Sequence, residues 1–372
     1  MPDKYCVGNQ PLPLERLSPQ QFYLVRLFLL ALILLVFSAC TSVPAKKLYS
    51  QSGLEPLPFL LQQQGRAQLQ TYAQWIHLLK LSGGQIAPYH QQYAIDTLAL
   101  THATNQRIYN RVLAKLRAHV FAIQGPALKA EAQQLQRQLR QQVTDWGHTH
   151  VFHNPADNIN YPLGYEYGDN GIGAWIQDGI ATARTPADYQ QLIEDIHMFQ
   201  TNFQAMKENA SDHTPFAQPH KTDLQLLQQY HANGRTVVIS LEEQALRVYD
   251  QQKLINAFLV TTGRPDRPSP PGVWWVEGKL SPTTFKSGVL RSSPDWYPDT
   301  PIHYAMQYHS NGYFIHDSWW RNDYGPGTNF PHTDSSGNSF SAQGSHGCVN
   351  LSLQNAAWLY AYVTLYTSII IY

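Results

Sequence analysis

The hydrophobic rhythm of the chain changes twice along its length. Residues 27–37 form an unbroken apolar run (LFLLALILLVF), with Arg26 before it and Ser38-Ala39-Cys40 after it. A run of about 11 to 14 apolar residues suits the core of an export signal better than a complete membrane span. Extending it back through Phe22, Tyr23, Leu24 and Val25 makes a span possible, with Arg26 snorkelling to the interface. Residues 1–40 are therefore read as a signal peptide or a membrane anchor. Residues 41–59 contain three prolines and no periodicity, and read as a linker.

From residue 60 to about 234 apolar positions recur at intervals of three and four, the spacing of one face of a helix. Residues 95–123 place Leu98, Ile108, Val112, Leu116 and Val120 on such a face. A new helix is expected from Pro126 to Trp146, since proline is favoured in a first turn and strong helix formers follow. Thr185-Pro186-Ala187-Asp188 is a start signal for a helix reaching about Asn209, with Leu192, Ile193, Ile196, Phe199 and Phe203 facing inward. Residues 152–173, aromatic and rich in Gly and Asn, are expected to form a loop.

At Arg235 the pattern becomes strand-like. Short apolar runs at 237–241, 245–249, 255–262, 273–276, 302–307, 313–316 and 367–372 are separated by turn residues, including the Pro/Gly loop 263–272 (GRPDRPSPPG). Only residues 353–363 read as a helix there, with Ser352 as cap. The expected fold class is a multidomain chain: an all-α domain of unknown function at 60–234, then a mostly-β domain at 235–372. The latter is sandwich- or barrel-like with one clear helix.

Composition narrows the function. At 372 residues the chain exceeds what one ordinary core organises. Lys and Arg number 26 against 26 Asp and Glu, so nothing pulls the chain towards nucleic acid. Charged residues are only 14% of the chain, where about 25% is usual. The 43% of hydrophobic residues suffices for a core and excludes global disorder. Three scattered cysteines, Cys6, Cys40 and Cys348, cannot make a disulfide framework. His148, His150 and His153 lie close in sequence, either as metal ligands or as histidines after a helix end. No acid or cysteine nearby completes a ligand set, so neither a metal nor a cofactor is expected.

The chemistry-bearing segment is Ser345-His346-Gly347-Cys348-Val349-Asn350. A cysteine is a strong acyl-transfer nucleophile once an imidazole removes its proton. Gly347 permits a sharp bend just before it, so that a substrate carbonyl can approach backbone N–H groups. The candidate base is His316, closing the apolar strand of Gly312-Tyr313-Phe314-Ile315. His332, in polar sequence between the two motifs, is a rival.

These residues resemble the L,D-transpeptidases with a YkuD-type catalytic domain. The likeness covers about 235–372 and is carried by TVVISLEEQALRVYD, TTGRPDRPSPPGVWWV, FIHDSWW and above all SHGCVNLS. It implies a cysteine-dependent acyltransferase of peptidoglycan biosynthesis, joining a donor and an acceptor stem peptide by a 3→3 cross-link. The same acyl-enzyme, met by water, would make an L,D-carboxypeptidase, and a non-catalytic wall-binding lipoprotein is a further alternative. The resemblance makes Cys348 the nucleophile and His316 the base, with His346, Gly347 and the Cys348 N–H shaping the oxyanion site. Ser345 would orient the local hydrogen bonds. Asn350, Trp320, Tyr308 and Met306 would contact substrate, the last two from a lid. Carbapenem-type inhibitors are expected to acylate Cys348.

Two features depart from compact members of that family. Twenty-eight residues separate His316 from Ser345, and Asp317 stands where a small residue is common. An acid there could raise the imidazole pKa or simply face water. Val36-Phe37-Ser38-Ala39-Cys40 resembles a lipobox, which implies lipidation at Cys40 and a membrane-anchored protein facing outward in the cell envelope. Cys348 is then the only cysteine of the exported part.

Overall fold

The computed structural model describes residues 7–8, 57–293 and 296–372. The run at 27–37, the Cys40 lipobox and the 41–56 part of the linker lie outside these residues. Among the described residues no helix is long and apolar enough to cross a membrane.

Three helices come first: α1 (Phe59–Leu81), α2 (Ala87–Thr101) and α3 (Gln106–Thr149). The continuous helix expected over 95–123 is broken at residues 102–105, where the Asn105 side chain accepts the Ile108 N–H and starts α3 afresh. Leu98 and Ile108, on either side of the break, are exposed, whereas Leu116 and Val120 further along α3 are buried. Conversely, no helix begins at Pro126. It sits inside the 44-residue α3, although an interior proline costs about 3 kcal/mol. Its ring is exposed, so the unpaired Ala122 carbonyl can meet water. Burial of Ile123, Ala127, Leu128 and Ala132 around it holds the helix together.

The long helix serves two cores. Its first half packs on α1 and α2 around Tyr72, Leu79, Leu113 and Leu116. Its second half, from Leu128 onward, joins a larger core that runs without interruption into the β strands and ends at Tyr372. The residues expected as loop at 152–173 contain a hairpin, β2 (Val151–Asn154) with β3 (Ile159–Pro162), and a 3-10 turn at Tyr165–Tyr167. Then follow α4 (Ile172–Thr182), α5 (Pro186–Asn209) and α6 (Lys221–Gln229). The start signal at Thr185 is realised as a capping box: Asp188 N–H donates to the Thr185 hydroxyl, and Thr185 N–H donates back to the Asp188 carboxylate.

The β half holds β4 (Thr236–Ser240), β5 (Ala245–Asp250), β6 (Lys253–Leu259), β7 (Gly272–Trp275), β8 (Gly278–Leu280), β9 (Thr283–Lys286), β10 (Thr300–Ile302), β11 (Ala305–His309), β12 (Tyr313–Asp317), β13 (Val349–Leu351) and β14 (Ser368–Ile371), with α7 (Leu353–Tyr362) before the last. One sheet has the order β6-β5-β4-β14-β7 and a second β13-β12-β11-β8. A third is β1-β9-β10, where β1 is Val7–Gly8. Val237, Ile239 and Val248 from the first sheet share a core with Met306, Ile315 and Leu351 from the second, and with Leu359 of α7. The chain is thus a helical region followed by a mostly-β domain, as its periodicity predicts. The strand expected at 302–307 is divided because the Asp317 carboxylate accepts both the His303 and Tyr304 N–H groups, taking them out of the ladder.

A buried ionic knot ties α6 to the first sheet. Asp223, in the first turn of α6, accepts from Arg247 of β5 and from the Tyr249 and Tyr372 hydroxyls. Arg247 and Asp223 are fully buried. Asp223→Ala leaves a desolvated guanidinium without its main partner, and is expected to cost about 3–5 kcal/mol in urea unfolding. A loss below about 1 kcal/mol would show the knot to be energetically neutral.

Candidate active site

Strand parity decides which side chains meet. β12 pairs in parallel with β13, placing His316 beside Asn350 and Ile315 beside Val349. Both strands lie against covered faces, so each residue of each is buried. Tyr313, Ile315, Val349 and Leu351 enter the large core. The alternate residues take the opposite face, where Phe314 and Cys348 pack with Phe285, Ile302 and Ala305. His316 and Asn350 share that parity and join Cys348 around one cavity of about 250 Å³.

The bend before Cys348 needs its glycine. Gly347 has φ +111°, and a Cβ there would come within 2.5 Å of the Tyr313 ring. Five residues hold the bend. The Ser345 hydroxyl donates to the Cys348 carbonyl and accepts the Gly347 N–H. The Gly347 carbonyl accepts from the Ser269 hydroxyl at 2.8 Å and the Tyr308 hydroxyl at 3.4 Å. Ser345 N–H donates to Thr262, and Arg264 N–H donates to Ser345, joining the box to the Pro/Gly loop. Because Gly347 N–H is spent inside the bend, it is not an oxyanion donor. Cys348 itself is 1% exposed and disulfide-bonded; only its reduced thiol can act as a nucleophile.

His316 Nδ1–H donates to the Asp317 backbone carbonyl at 2.8 Å, which leaves the lone pair on Nε2. The Asn350 amide donates to that nitrogen at 3.1 Å. Asp317 does not face water: it is buried, and its carboxylate also accepts from the His303 ring. Burial is the strongest influence on His316 and lowers its pKa below the usual 6.5; the Asp317 carbonyl and carboxylate oppose this, and the Arg321 charge adds to it. A base with a lowered pKa stays neutral to lower pH. The acid limb of Cys348 acylation is therefore expected below pH 6.5 in a pH–rate profile, and a limb above 6.5 would contradict this environment.

The sequence-predicted residues divide clearly. Cys348, His316, Ser345, His346, Asn350 and Trp320 all line the cavity. Met306 and Tyr308, expected at a lid, do not: both are fully buried in the large core. Both project from β11 into the core shared with Ile315 and Val349, while Ala305 of the same strand takes the opposite face. Tyr308 acts instead through its bond to Gly347. His332 does not line the cavity, and its Nδ1 is engaged by the Phe330 carbonyl. His346 Nε2 accepts a bond from Arg264 Nη1 at 3.1 Å. Of the three clustered histidines, His150 stacks on Trp146 and His153 bonds Asn160. Among the described residues no group of three or more His, Cys, Asp or Glu could hold a metal.

Sequence reasoning missed several residues of the cavity. Phe285 and Tyr297 form an aromatic wall with Trp320. Arg321 is 4% exposed, donates to the Ser341 and Gln343 carbonyls, and has its pKa brought down to about 10 by burial. Its place directly after Trp320 was the available signal. The polar stretch between the motifs is folded on itself rather than open. Asp334 accepts the Asn322, Asp323 and Ser336 N–H groups, and Asp323 accepts from Ser335. The helical region also reaches the site. Tyr165 donates to the Gly263 carbonyl at 2.7 Å and accepts from Asn329, while Phe152 and Tyr161 of the hairpin stack on Phe330.

Residues 234–371 match the family model of the L,D-transpeptidase catalytic domain, YkuD. This part of the chain is thus similar to the catalytic domains of the L,D-transpeptidase class. L,D-transpeptidase 1 of Mycobacterium tuberculosis strain H37Rv is 28% identical over 135 residues, which are 34% of this chain and 46% of that relative. The chain therefore spans about half the length of the curated relative it matches. Among solved structures, the catalytic domain of the Enterococcus faecium enzyme is 26% identical, covering 38% of this chain and 99% of that one at a TM-score of 0.31. An L,D-transpeptidase of Mycobacterium smegmatis is 23% identical over 37% and 58% of the two chains, also at 0.31. Another, LdtMt1, was solved in complex with imipenem and is 25% identical over 37% and 59%, again at 0.31.

Proposed function

We propose that the protein is an exported peptidoglycan L,D-transpeptidase acting by cysteine acyl transfer. The observation that carries this reading is the convergence of Cys348 and the buried, neutral His316 on one cavity through the parallel pair β12–β13. His316 Nε2 takes the thiol proton as Sγ attacks the carbonyl of the third residue of a donor stem. The peptide bond to the terminal D-Ala breaks, and His316 returns the proton to the leaving amine. A diamino-acid side-chain amine of the acceptor stem then attacks the thioester, and as the 3→3 amide forms and the C–S bond breaks, His316 takes the amine's proton and returns it to the departing Cys348 thiolate. The Cys348 backbone N–H supplies the oxyanion contact, since Gly347 N–H is committed to Ser345. The aromatic wall of Phe285, Tyr297 and Trp320 holds apolar parts of the stem and keeps water from the thioester, favouring transfer over hydrolysis.

The direct test exposes reduced protein to imipenem, the ligand of the relative LdtMt1, and measures intact mass. One adduct per chain is the expected result, and unmodified protein would reject the reading. Tetrapeptide-bearing muropeptides should yield 3→3 dimers; tripeptides alone would assign the carboxypeptidase.

Export follows in this reading from the apolar run and lipobox of residues 1–40. Processing before Cys40 would remove β1 and leave the outer edge of β9 unpaired beside the cleft. Metabolic labelling with a palmitate analogue should mark the wild type and not Cys40→Ala; a label that persists in the variant would dismiss lipidation at that residue.

A further inference from the structure

The first cavity is not the largest concavity of the β half. A surface groove of about 620 Å³ lies between β6, the first turns of α7 and the segment that follows Arg321, within the ~300–1,000 Å³ common to small-ligand sites. Its position is informative. Trp319, Trp320 and Arg321 line the Cys348 cavity, and the next residues, Asn322 and Tyr324, line the groove. One short segment therefore separates the two, and Gly325 N–H pins it to the Val260 carbonyl.

The lining has a specific chemistry. It contains no charged side chain, but four carboxamides: Asn256, Asn322, Gln354 and Asn355. The side-chain amides of Asn322, Gln354 and Asn355 have no hydrogen-bond partner among the described residues. Each therefore offers donors and an acceptor to a ligand. Beside them stand the aromatic rings of Trp358 and Tyr324. Trp358 is fixed by a stack on Tyr362 at 4.9 Å and an edge contact with Phe258 at 5.5 Å. Tyr324 spends its hydroxyl on Ser318 and Arg321, so its ring is what remains for the groove.

An anion would meet no cation here, and a cation no carboxylate. The ligand class that pairs with rigid aromatic faces and unpartnered carboxamides is a neutral, polyhydroxylated, N-acetylated one. We propose that this groove binds the glycan strand of the polymer, holding uncharged N-acetylated sugar units while the attached stem peptide passes the Arg321–Asn322 segment to reach Cys348. A sugar bearing a stem has its carboxyl consumed in the amide link to the peptide, so it too is neutral. The sugar's ring C–H groups would lie on Trp358 and Tyr324, and its hydroxyl and acetamido groups would bond the carboxamides.

This inference rests on the transpeptidase reading for the identity of the polymer, but the binding itself does not need Cys348. Tetra-N-acetylchitotetraose, an uncharged β-1,4 oligosaccharide, is titrated into the full chain by calorimetry. Wild type and Cys348→Ala should both bind it, and the Asn322→Ala/Gln354→Ala double variant, altered only at exposed positions, should bind about tenfold more weakly. Imipenem acylation of that double variant should equal wild type, which shows the fold and the thiol site to be intact. On muropeptides the double variant should raise KM for glycan-linked donors while leaving the free tetrapeptide unchanged. Equal affinity in wild type and double variant, absence of saturable binding at millimolar sugar, or displacement of the sugar by free tetrapeptide would each overturn the proposal. Groove-dependent sugar binding in a protein that imipenem fails to modify would sustain the glycan site and reject the transpeptidase instead.

Discussion

Cys348→Ala is expected to abolish imipenem adduct formation completely while the protein remains folded. The thiol is the single group whose loss removes the covalent step, since neither water nor His316 can form the thioester in its place. Measured against the reduced wild type, the structural cost is small. Cys348 is buried beside Phe314, Phe285, Ile302 and Ala305, and trading its sulfur for hydrogen leaves a void of about one heavy atom, worth on the order of 1 kcal/mol. Its backbone carbonyl still accepts from Ser345, and Gly347 still turns the chain. Intact mass after reduction and imipenem treatment, run beside a thermal melt, separates chemistry from stability. A variant that keeps its melt and still gains the adduct would remove Cys348 from the mechanism.

His316→Ala is expected to slow acylation by about 10²- to 10⁴-fold at neutral pH, the usual range for loss of a positioned base. An unassisted thiol with a pKa near 8.5 is only a few per cent ionised at pH 7. The variant's rate should therefore climb steeply with pH as solvent deprotonates Cys348, where wild type has already levelled off. That rescue marks a lost base rather than a damaged fold. His332→Ala should stay within a few-fold of wild type, because His332 lies off the cavity and its Nδ1 is already held by Phe330. The opposite ranking, with His332→Ala inactive and His316→Ala active, would reverse the assignment.

The legible parts of the site were those set by local rules. A histidine closing an apolar strand reads as a candidate base and a glycine before a nucleophile signals a bend, whereas the β12–β13 register that sets His316 beside Asn350 is not written in either segment. Thr185 and Ser352 were readable as caps because a cap needs only its own helix's first turn. Pro126 shows the limit of such rules. Its local preference is for a first turn, yet burial on both sides of it maintains α3. Met306 and Tyr308 failed for a related reason. Their residue types suit a lid as well as a core, and only the packing of that face of β11 into the core between the sheets settles which. Asp317 offered two roles in sequence and took a third, pulling the His303 and Tyr304 N–H groups out of the ladder.

The sequence by itself determined the period change at residue 235, the identity of the box around Cys348, and the chemistry those side chains can perform. These depend on residue types and short spacings, which no packing can alter. Tertiary structure alone decided that the helical region shares a core with the β domain and lends Tyr165 to the Gly263 loop. It alone decided that the residues after His316 close on Asp334, and that two concavities lie either side of Arg321 and Asn322. Such contacts join residues far apart in the chain, and their free energy comes from burial and hydrogen bonds that exist only once both partners are in place.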